Sequence, residues 1–209
     1  MARFVTISPE MSDAVIEHLR NSFFADEPLN KAVGLCGRGE PHAALERLCA
    51  ATMADGLSIA AVEDDTVRVK SYQRSQNIEQ AIEKIQQSSD AKFNKIFTIL
   101  YTVSRDLNLF NTFGVDSILE CRIISVSDQA RGKGLAKELM RRSIEIAKDH
   151  GFKLFKVDAT GAYSQRICSS LGLEVLRKVR YSEYCDDYGT PVFNVPPPHD
   201  ALSVMVLQL

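Results

Sequence analysis

The sequence has no apolar run approaching the ~20 residues that a membrane-spanning helix needs, and Met1 to Glu10 lacks the apolar stretch of a secretion signal. The expectation is a cytoplasmic protein with no membrane partner. Its five cysteines (Cys36, Cys49, Cys121, Cys168 and Cys185) are scattered, odd in number and never arranged as C-x-x-C. That pattern gives neither a disulfide framework nor zinc-ligand spacing, so reduced thiols and no metal are expected. A net charge of −2 provides no electrostatic case for nucleic acid. There is no internal repeat and no low-complexity linker. What remains is ordinary globular composition, 45% hydrophobic and 25% charged. At 209 residues the chain can bury one good core and falls short of two ordinary domains.

Periodicity divides the chain into alternating strands and helices. Phe4 to Ile7 reads as a first strand, and Ser8-Pro9-Glu10 as a helix start with a hydroxyl cap, proline at the first helical position and an acid in the first turn. Met11, Val15, Leu19 and Phe23 share one face of that helix, which Asp26-Glu27-Pro28 ends. A second helix spans Pro41 to Ala54. Leu57 to Val62 reads as a buried strand, with Val67 to Tyr72 as its short, polar hairpin partner. Ile78, Ile82 and Ile85 mark one amphipathic helix, and Phe93, Ile96, Phe97, Leu100, Val103 and Leu107 another. Ile118 to Val126 has the β-branched character of a central strand. After it come a helix through Leu135, Leu139, Met140, Ile144 and Ala147, a strand from Phe152 to Asp158, and a short helix from Tyr163 to Leu171. Leu173 to Tyr181 and Leu202 to Leu207 close the sequence as strands. The pattern predicts one α/β domain with a mixed central sheet.

The most informative junction is Gln129-Ala130-Arg131-Gly132-Lys133-Gly134-Leu135-Ala136, where a strand gives way to a helix. Such a helix start offers unpaired N–H groups and the positive end of the helix dipole. Gly132 and Gly134 let backbone approach an anion, and Arg131 and Lys133 add positive charge. These features suit a diphosphate. A P-loop is excluded because Gly134 stands where Ser or Thr is needed, and a dinucleotide fingerprint because Lys137 fills its third glycine position. Both Gln129…Gly132…Gly134 and Arg131…Gly134…Ala136 satisfy Q/R-x-x-G-x-G/A, the acetyl-CoA pyrophosphate loop of the GNAT superfamily. Together with the flanking strand and helix, the C-terminal half resembles GNAT acetyltransferases. The Leu171-Gly172-Leu173 turn is similar to the family's helix-to-strand ending, with leucine in place of phenylalanine.

The N-terminal half narrows the resemblance. Phe23-Phe24-Ala25-Asp26-Glu27-Pro28-Leu29-Asn30 resembles the F-x-x-x-E-P-L signature of insect-type arylalkylamine N-acetyltransferases. The resemblance implies a GNAT acyl-CoA N-acyltransferase fold with about six or seven strands flanked by helices, and residues 1–209 as its single domain. It implies acetyl-CoA as co-substrate, held by Ile124, Ser125, Val126, Gln129, Arg131, Gly132, Lys133, Gly134, Leu135 and Ala136. Glu27 matches the family's general base, which the chemistry requires because an amine arrives protonated and only its free base attacks a thioester. Asp158 to Ser164 is similar to a family segment bearing two serines four apart; Ser164 matches the second, and Thr160 keeps the hydroxyl of the first. Thr160, Ser164 and Tyr163 are the candidates to protonate the leaving thiolate. Relatives carry a longer apolar strand near Val67 to Tyr72, where this sequence is polar.

Other residues have plainer readings. His18 and His42 suit structural or surface positions, whereas His199, behind three prolines, lies in a loop able to overhang an acceptor pocket. Lys137, Arg141 and Arg142 form a solvated helix face, with Lys137 nearest to any phosphates. The expected activity is acetyl transfer to a small primary amine such as dopamine, tyramine, serotonin or tryptamine, by a monomer or weak dimer. The alternatives are a coenzyme A-binding module without catalysis, and transfer to a polyamine or a protein amine.

Overall fold

The computed structural model describes residues 3–63, 66–74 and 89–209, with residue 63 and residues 66–74 described by backbone alone. The helix expected around Ile78, Ile82 and Ile85 lies outside these residues. Seven strands form one sheet: β1 (Arg3–Thr6), β2 (Ile59–Glu63), β3 (Thr66–Arg74), β4 (Leu119–Ile124), β5 (Leu154–Ala159), β6 (Glu174–Arg180) and β7 (Ala201–Gln208). Their order is β1-β2-β3-β4-β5-β7-β6. Every neighbouring pair is antiparallel except β4 and β5, which run parallel at the centre. The mixed sheet therefore matches expectation.

The β4–β5 pair creates the functional geometry. Only Leu119–Phe155, Glu120–Lys156 and Cys121–Val157 are in register. Both strands then run on, β4 to Ile124 and β5 to Ala159, without pairing to each other. Backbone polar groups that would close a ladder are left facing a gap between the strands. On its other side β4 carries a bulge: Ser71 opposes Ile123 and Tyr72 opposes Cys121, so Arg122 is the extra residue. A bulge resets which face the following side chains meet. Leu119 and Cys121 pack with Met140 and Ile144 on one face, whereas Ile123 joins Leu19, Phe24 and Ile96 on the other.

Helices cover both faces. Among the described residues they are α1 (Ser12–Arg20), α2 (Phe23–Asp26), α3 (Pro28–Val33), α4 (Ala43–Met53), α5 (Ala91–Asp106), α6 (Leu109–Phe113), α7 (Leu135–Asp149) and α8 (Ala162–Ser170). In α7 the apolar residues return at helical spacing, so Leu139, Met140, Ile144 and Ala147 are all buried. Sequestering Leu139 and Met140 completely contributes about 1.5–3 kcal/mol each. Asp90 starts α5 by accepting from the N–H groups of Lys92 and Phe93 at 3.1 and 3.0 Å.

Two expectations require correction. The single helix read from Pro9 to Asp26 is instead a 3-10 turn, α1 and the separate short α2. Ser22 breaks it: its hydroxyl donates to the His18 carbonyl at 2.6 Å and lies 2.8 Å from the Ser125 hydroxyl. Such side-chain bonds give the backbone an alternative to the helical ladder. Nor does the Ser8 side chain make the cap bond expected of it. The second correction is β3, which is not short: its nine residues pair with both β2 and β4. Ladder bonds are made by backbone, so polar side chains do not prevent a long inner strand.

Candidate active site

One cavity of about 840 Å³ passes from the loop before α7, through the gap between β4 and β5, to the side chains of α5. That size suits a small-molecule site. At the end nearest α7, Gly132 and Gly134 take φ values of 77° and 76°, the left-handed region in which glycine is favoured. A Cβ at either position would meet nothing within 4 Å, so glycine is needed there for conformation rather than space. Gly134 caps α7 with no side-chain hydrogen bond, which leaves the N–H groups of the first turn for an anion. Ile124, Ser125, Val126, Arg131, Gly132, Gly134, Leu135 and Ala136 all line the cavity, as does Lys137.

Two predicted cofactor residues differ. Gln129 and Lys133 are exposed and absent from the lining; Gln129 sits on the outer side of a 3-10 turn. Arg131 does line the cavity, but its guanidinium lies 2.9 Å from Asp26 and 3.0 Å from Asp128. Its charge is shared with these acids, and it ties the loop to the residue before Glu27. Ser125 is held from below by His18 Nε2 at 2.9 Å. His18 thus supports the chain just after β4, as a structural reading of it anticipates. His42 is structural as well: Nδ1 accepts from the Leu45 N–H at 3.3 Å as the cap of α4, and Nε2 lies 2.9 Å from Asp90.

Glu27, Thr160, Tyr163 and Ser164 are brought together in the same cavity. Glu27 is the N-cap of α3, with Oε2 accepting from the Asn30 N–H at 2.7 Å. The following proline occupies the first helical position, where no N–H is required. The residue is half-buried, but Oε1 is shut from solvent and has no hydrogen bond of good geometry among the described residues. Burial pushes the carboxyl above the ordinary range, against the smaller opposing pull of the Thr160 hydroxyl and the Asn30 and Leu29 N–H groups. A buried carboxylate with one fixed and one unsatisfied oxygen is chemically able to accept a proton.

The wall opposite is set by packing around Gly161, where a Cβ would lie 3.1 Å from His199 Nδ1 and 3.3 Å from Pro28 Cγ. His199 Nδ1 accepts from the Ala162 N–H at 3.1 Å, at the start of α8, and its ring meets Tyr163 edge-on at 5.4 Å. Burial, then the nearby Lys31, lowers its pKa, so the ring stays neutral. Tyr181 was not singled out in the sequence. Its buried hydroxyl donates to the Thr160 carbonyl at 2.6 Å and fixes that turn beside Glu27. Ser164 donates its own proton to the Gly161 carbonyl at 2.8 Å.

The end away from α7 has Phe23, Ile96, Phe97, Leu100 and Tyr101 as apolar lining. Below them lies a charged floor that sequence reasoning missed. Lys156 donates to Glu120 Oε1 and, at 2.7 Å, to Asp158 Oδ2; Arg122 donates to Glu120 Oε2 at 2.9 Å. Burial alone would raise the Glu120 carboxyl, but Lys156 and Arg122 hold it well below the ordinary carboxylate range. Burial would likewise lower the Lys156 ammonium, yet Asp158 and Glu120 keep it above the ordinary lysine value. The available signal was four charged residues set inside otherwise apolar central strands, a costly arrangement unless they pair.

An uncapped helix start beside a split parallel pair, sharing a cavity with a buried carboxylate, defines the class as an acetyltransferase acting with acetyl-CoA. The family model for acetyltransferase (GNAT) matches residues 110–172, which include that junction. Among solved structures, arylalkylamine N-acetyltransferase 2 of Aedes aegypti is 45% identical, with 99% of this chain and 98% of that one covered and a TM-score of 0.95. The polyamine N-acetyltransferase of Drosophila melanogaster, which forms N-acetylagmatine, is 24% identical over 100% of both chains with a TM-score of 0.88. The yncA protein of Salmonella typhimurium, solved with acetyl-CoA, shares the fold at 17% identity and a TM-score of 0.56 over 100% of this chain and 94% of that one. The chain belongs to the arylalkylamine N-acetyltransferase family. It is an acetyl-CoA-dependent N-acetyltransferase whose acceptor is a small amine.

Proposed function

We propose that the acceptor is an arylalkylamine and that the acetyl group moves to it directly, with Glu27 as general base. The observation that carries this reading is the placement of the buried Glu27 Oε1 in the cavity that also receives the loop before α7. The apolar and aromatic side chains of α5 suit a ring attached to the amine, as the name of the 45% identical Aedes aegypti relative suggests. Acetyl-CoA supplies the acetyl thioester. Its diphosphate suits the free N–H groups at the start of α7, and its pantetheine arm suits the unpaired edge at Ile124, Ser125 and Val126.

Glu27 Oε1 accepts a proton from the ammonium, and the freed nitrogen pair attacks the thioester carbon. The N–C bond forms, the C–S bond breaks, and the departing thiolate takes up a proton. Of the two protons that leave nitrogen, one ends on the thiol and one in solvent. Thr160, the hydroxyl beside Glu27, passes the proton onward in this reading. Ser164, whose proton is committed to Gly161, presents an acceptor oxygen instead. Tyr163, 59% exposed at the rim, is the remaining donor. Lys137 supplements the loop, and the exposed Gln129 and Lys133 act through the loop's conformation and charge.

We also read residues 1–209 as one catalytic domain, because a single sheet draws strands from Arg3 to Gln208. The reading includes a cytoplasmic monomer or weak dimer that acts without nucleic acid. Among the described residues, no helix is long and apolar enough to cross a membrane. The test is thiol release from acetyl-CoA in the presence of tyramine, dopamine, serotonin or tryptamine. Turnover is expected with at least one of these amines. Absence of turnover across the panel, with coenzyme A still bound, overturns the assignment.

A further inference from the structure

The charged floor is a feature that the transfer chemistry itself does not use. On β5, Phe155, Val157 and Ala159 face the core beneath α7 and α8, so Lys156, Asp158 and Thr160 alternate onto the opposite face, toward the cavity. Asp158 stands two residues before Thr160 and Lys156 four, about 7 and 13 Å along the strand. The first step is comparable with the distance from an ethylamine nitrogen to the far side of its aryl ring. It also matches the distance to the second nitrogen of a short diamine. A substrate whose amine lies beside Thr160 and whose chain runs back along β5 brings its other end to this cluster.

Lys156, 5% exposed, pairs with both acids in the cluster, and Arg122 pairs with Glu120 as well. Among the described residues the cluster holds two acids and two bases, so no net negative charge awaits a second cation. Bringing another ammonium or guanidinium here would place it beside two buried positive charges in a medium that screens poorly. One hydrogen-bonding position stays open: Asp158 Oδ1 is buried without a partner among the described residues, while Oδ2 takes Lys156 at 2.7 Å and the Ser104 hydroxyl at 3.4 Å. A neutral donor, such as a ring hydroxyl or an indole N–H, fits that oxygen.

We propose that Lys156 determines acceptor charge: by neutralising Glu120 and Asp158 within the cavity wall, it bars amines that carry a second positive charge and leaves Asp158 to meet a neutral donor. The inference rests on the functional reading above, since it concerns the acceptor of the same site. It makes Lys156 a specificity-determining residue, apart from the groups that move protons.

The experiment compares kcat/KM for tyramine with that for putrescine and agmatine in the wild type, K156M and K156Q. Wild type is expected to favour tyramine by at least a hundredfold. Removing the ammonium frees negative charge, so K156M should shift the ratio at least tenfold toward the two dications. K156Q, whose amide still donates to both carboxylates, should shift it in the same direction and serves if K156M does not fold. Adding D158N to either variant should reverse part of the shift. A folded K156M or K156Q that binds coenzyme A and keeps the wild-type ratio overturns the proposal. So does a wild type that uses putrescine and tyramine equally well, a result that decides the matter even if neither variant folds. Failure of the functional reading looks different, because the wild type would then acetylate no amine at all.

Discussion

Glu27 serves two purposes that a surface acid could not combine. Oε2 caps α3 through the Asn30 N–H and so fixes the carboxylate plane, while Oε1 is buried and unsatisfied. Because burial raises its pKa, the charged base is the form that must be reached by raising pH. With an amine of constant ionisation over the range, kcat/KM should rise with pH through a limb above the ordinary carboxylate range. A profile that stays flat down to the ordinary carboxylate range would show that a different group takes the proton. Thr160 and Ser164 should separate in the same assay. Thr160 borders Glu27 whereas Ser164 is turned to Gly161, so T160V is expected to lower kcat about tenfold or more and S164A only a few-fold. Equal losses would contradict the distinction.

Among the elements, the start of α7 is the one whose sequence most fully dictates its conformation. Gly134 at φ 76° ends the loop without a side-chain cap, and an L-residue there costs about 1–2 kcal/mol. If that strain reshapes the anion site, G134A should weaken coenzyme A binding about five- to thirty-fold by calorimetry, whereas unchanged affinity would remove the loop from cofactor binding. This element was legible because glycines, a strand and a periodic helix all specify the same junction. The break after α1 was not. Met11, Val15, Leu19 and Phe23 keep helical spacing across Asn21-Ser22, and the contact of Ser22 with Ser125, 103 residues away, is invisible to a local pattern. The short α3 was hidden for a related reason. Glu27-Pro28 reads as the stop of one helix, but here the same pair starts the next, with the acid as cap and proline at the first position.

At the scale of the whole molecule, one continuous cavity runs through the split between β4 and β5, and in the proposed reading it holds both substrates. Direct transfer requires both to be present together, so initial-velocity plots should intersect. Parallel plots would indicate a covalent acetyl-enzyme. The one cysteine in the described lining, Cys121, is buried in β4, and C121A should remain active. The sheet order was only partly legible, since the strands could be counted but their pairing depends on long-range register. The charged floor was less legible still. Glu120 and Lys156 are 36 residues apart, and each strand shows only its own pair of charges two residues apart until parallel pairing places the two pairs together.

The most direct measurement is the turnover of Glu27→Gln in a protein that still binds coenzyme A. Glutamine can accept the Asn30 N–H and carries no charge to bury, so the variant should fold with unchanged or higher Tm at neutral pH. The sign follows from the raised pKa of the native carboxyl: its favourable contribution is present at low pH and is lost as pH rises through that value. With tyramine and saturating acetyl-CoA, kcat is predicted to fall about 10²–10⁴-fold while coenzyme A affinity is retained. A folded, coenzyme A-binding E27Q protein that keeps a third or more of wild-type turnover would contradict the account.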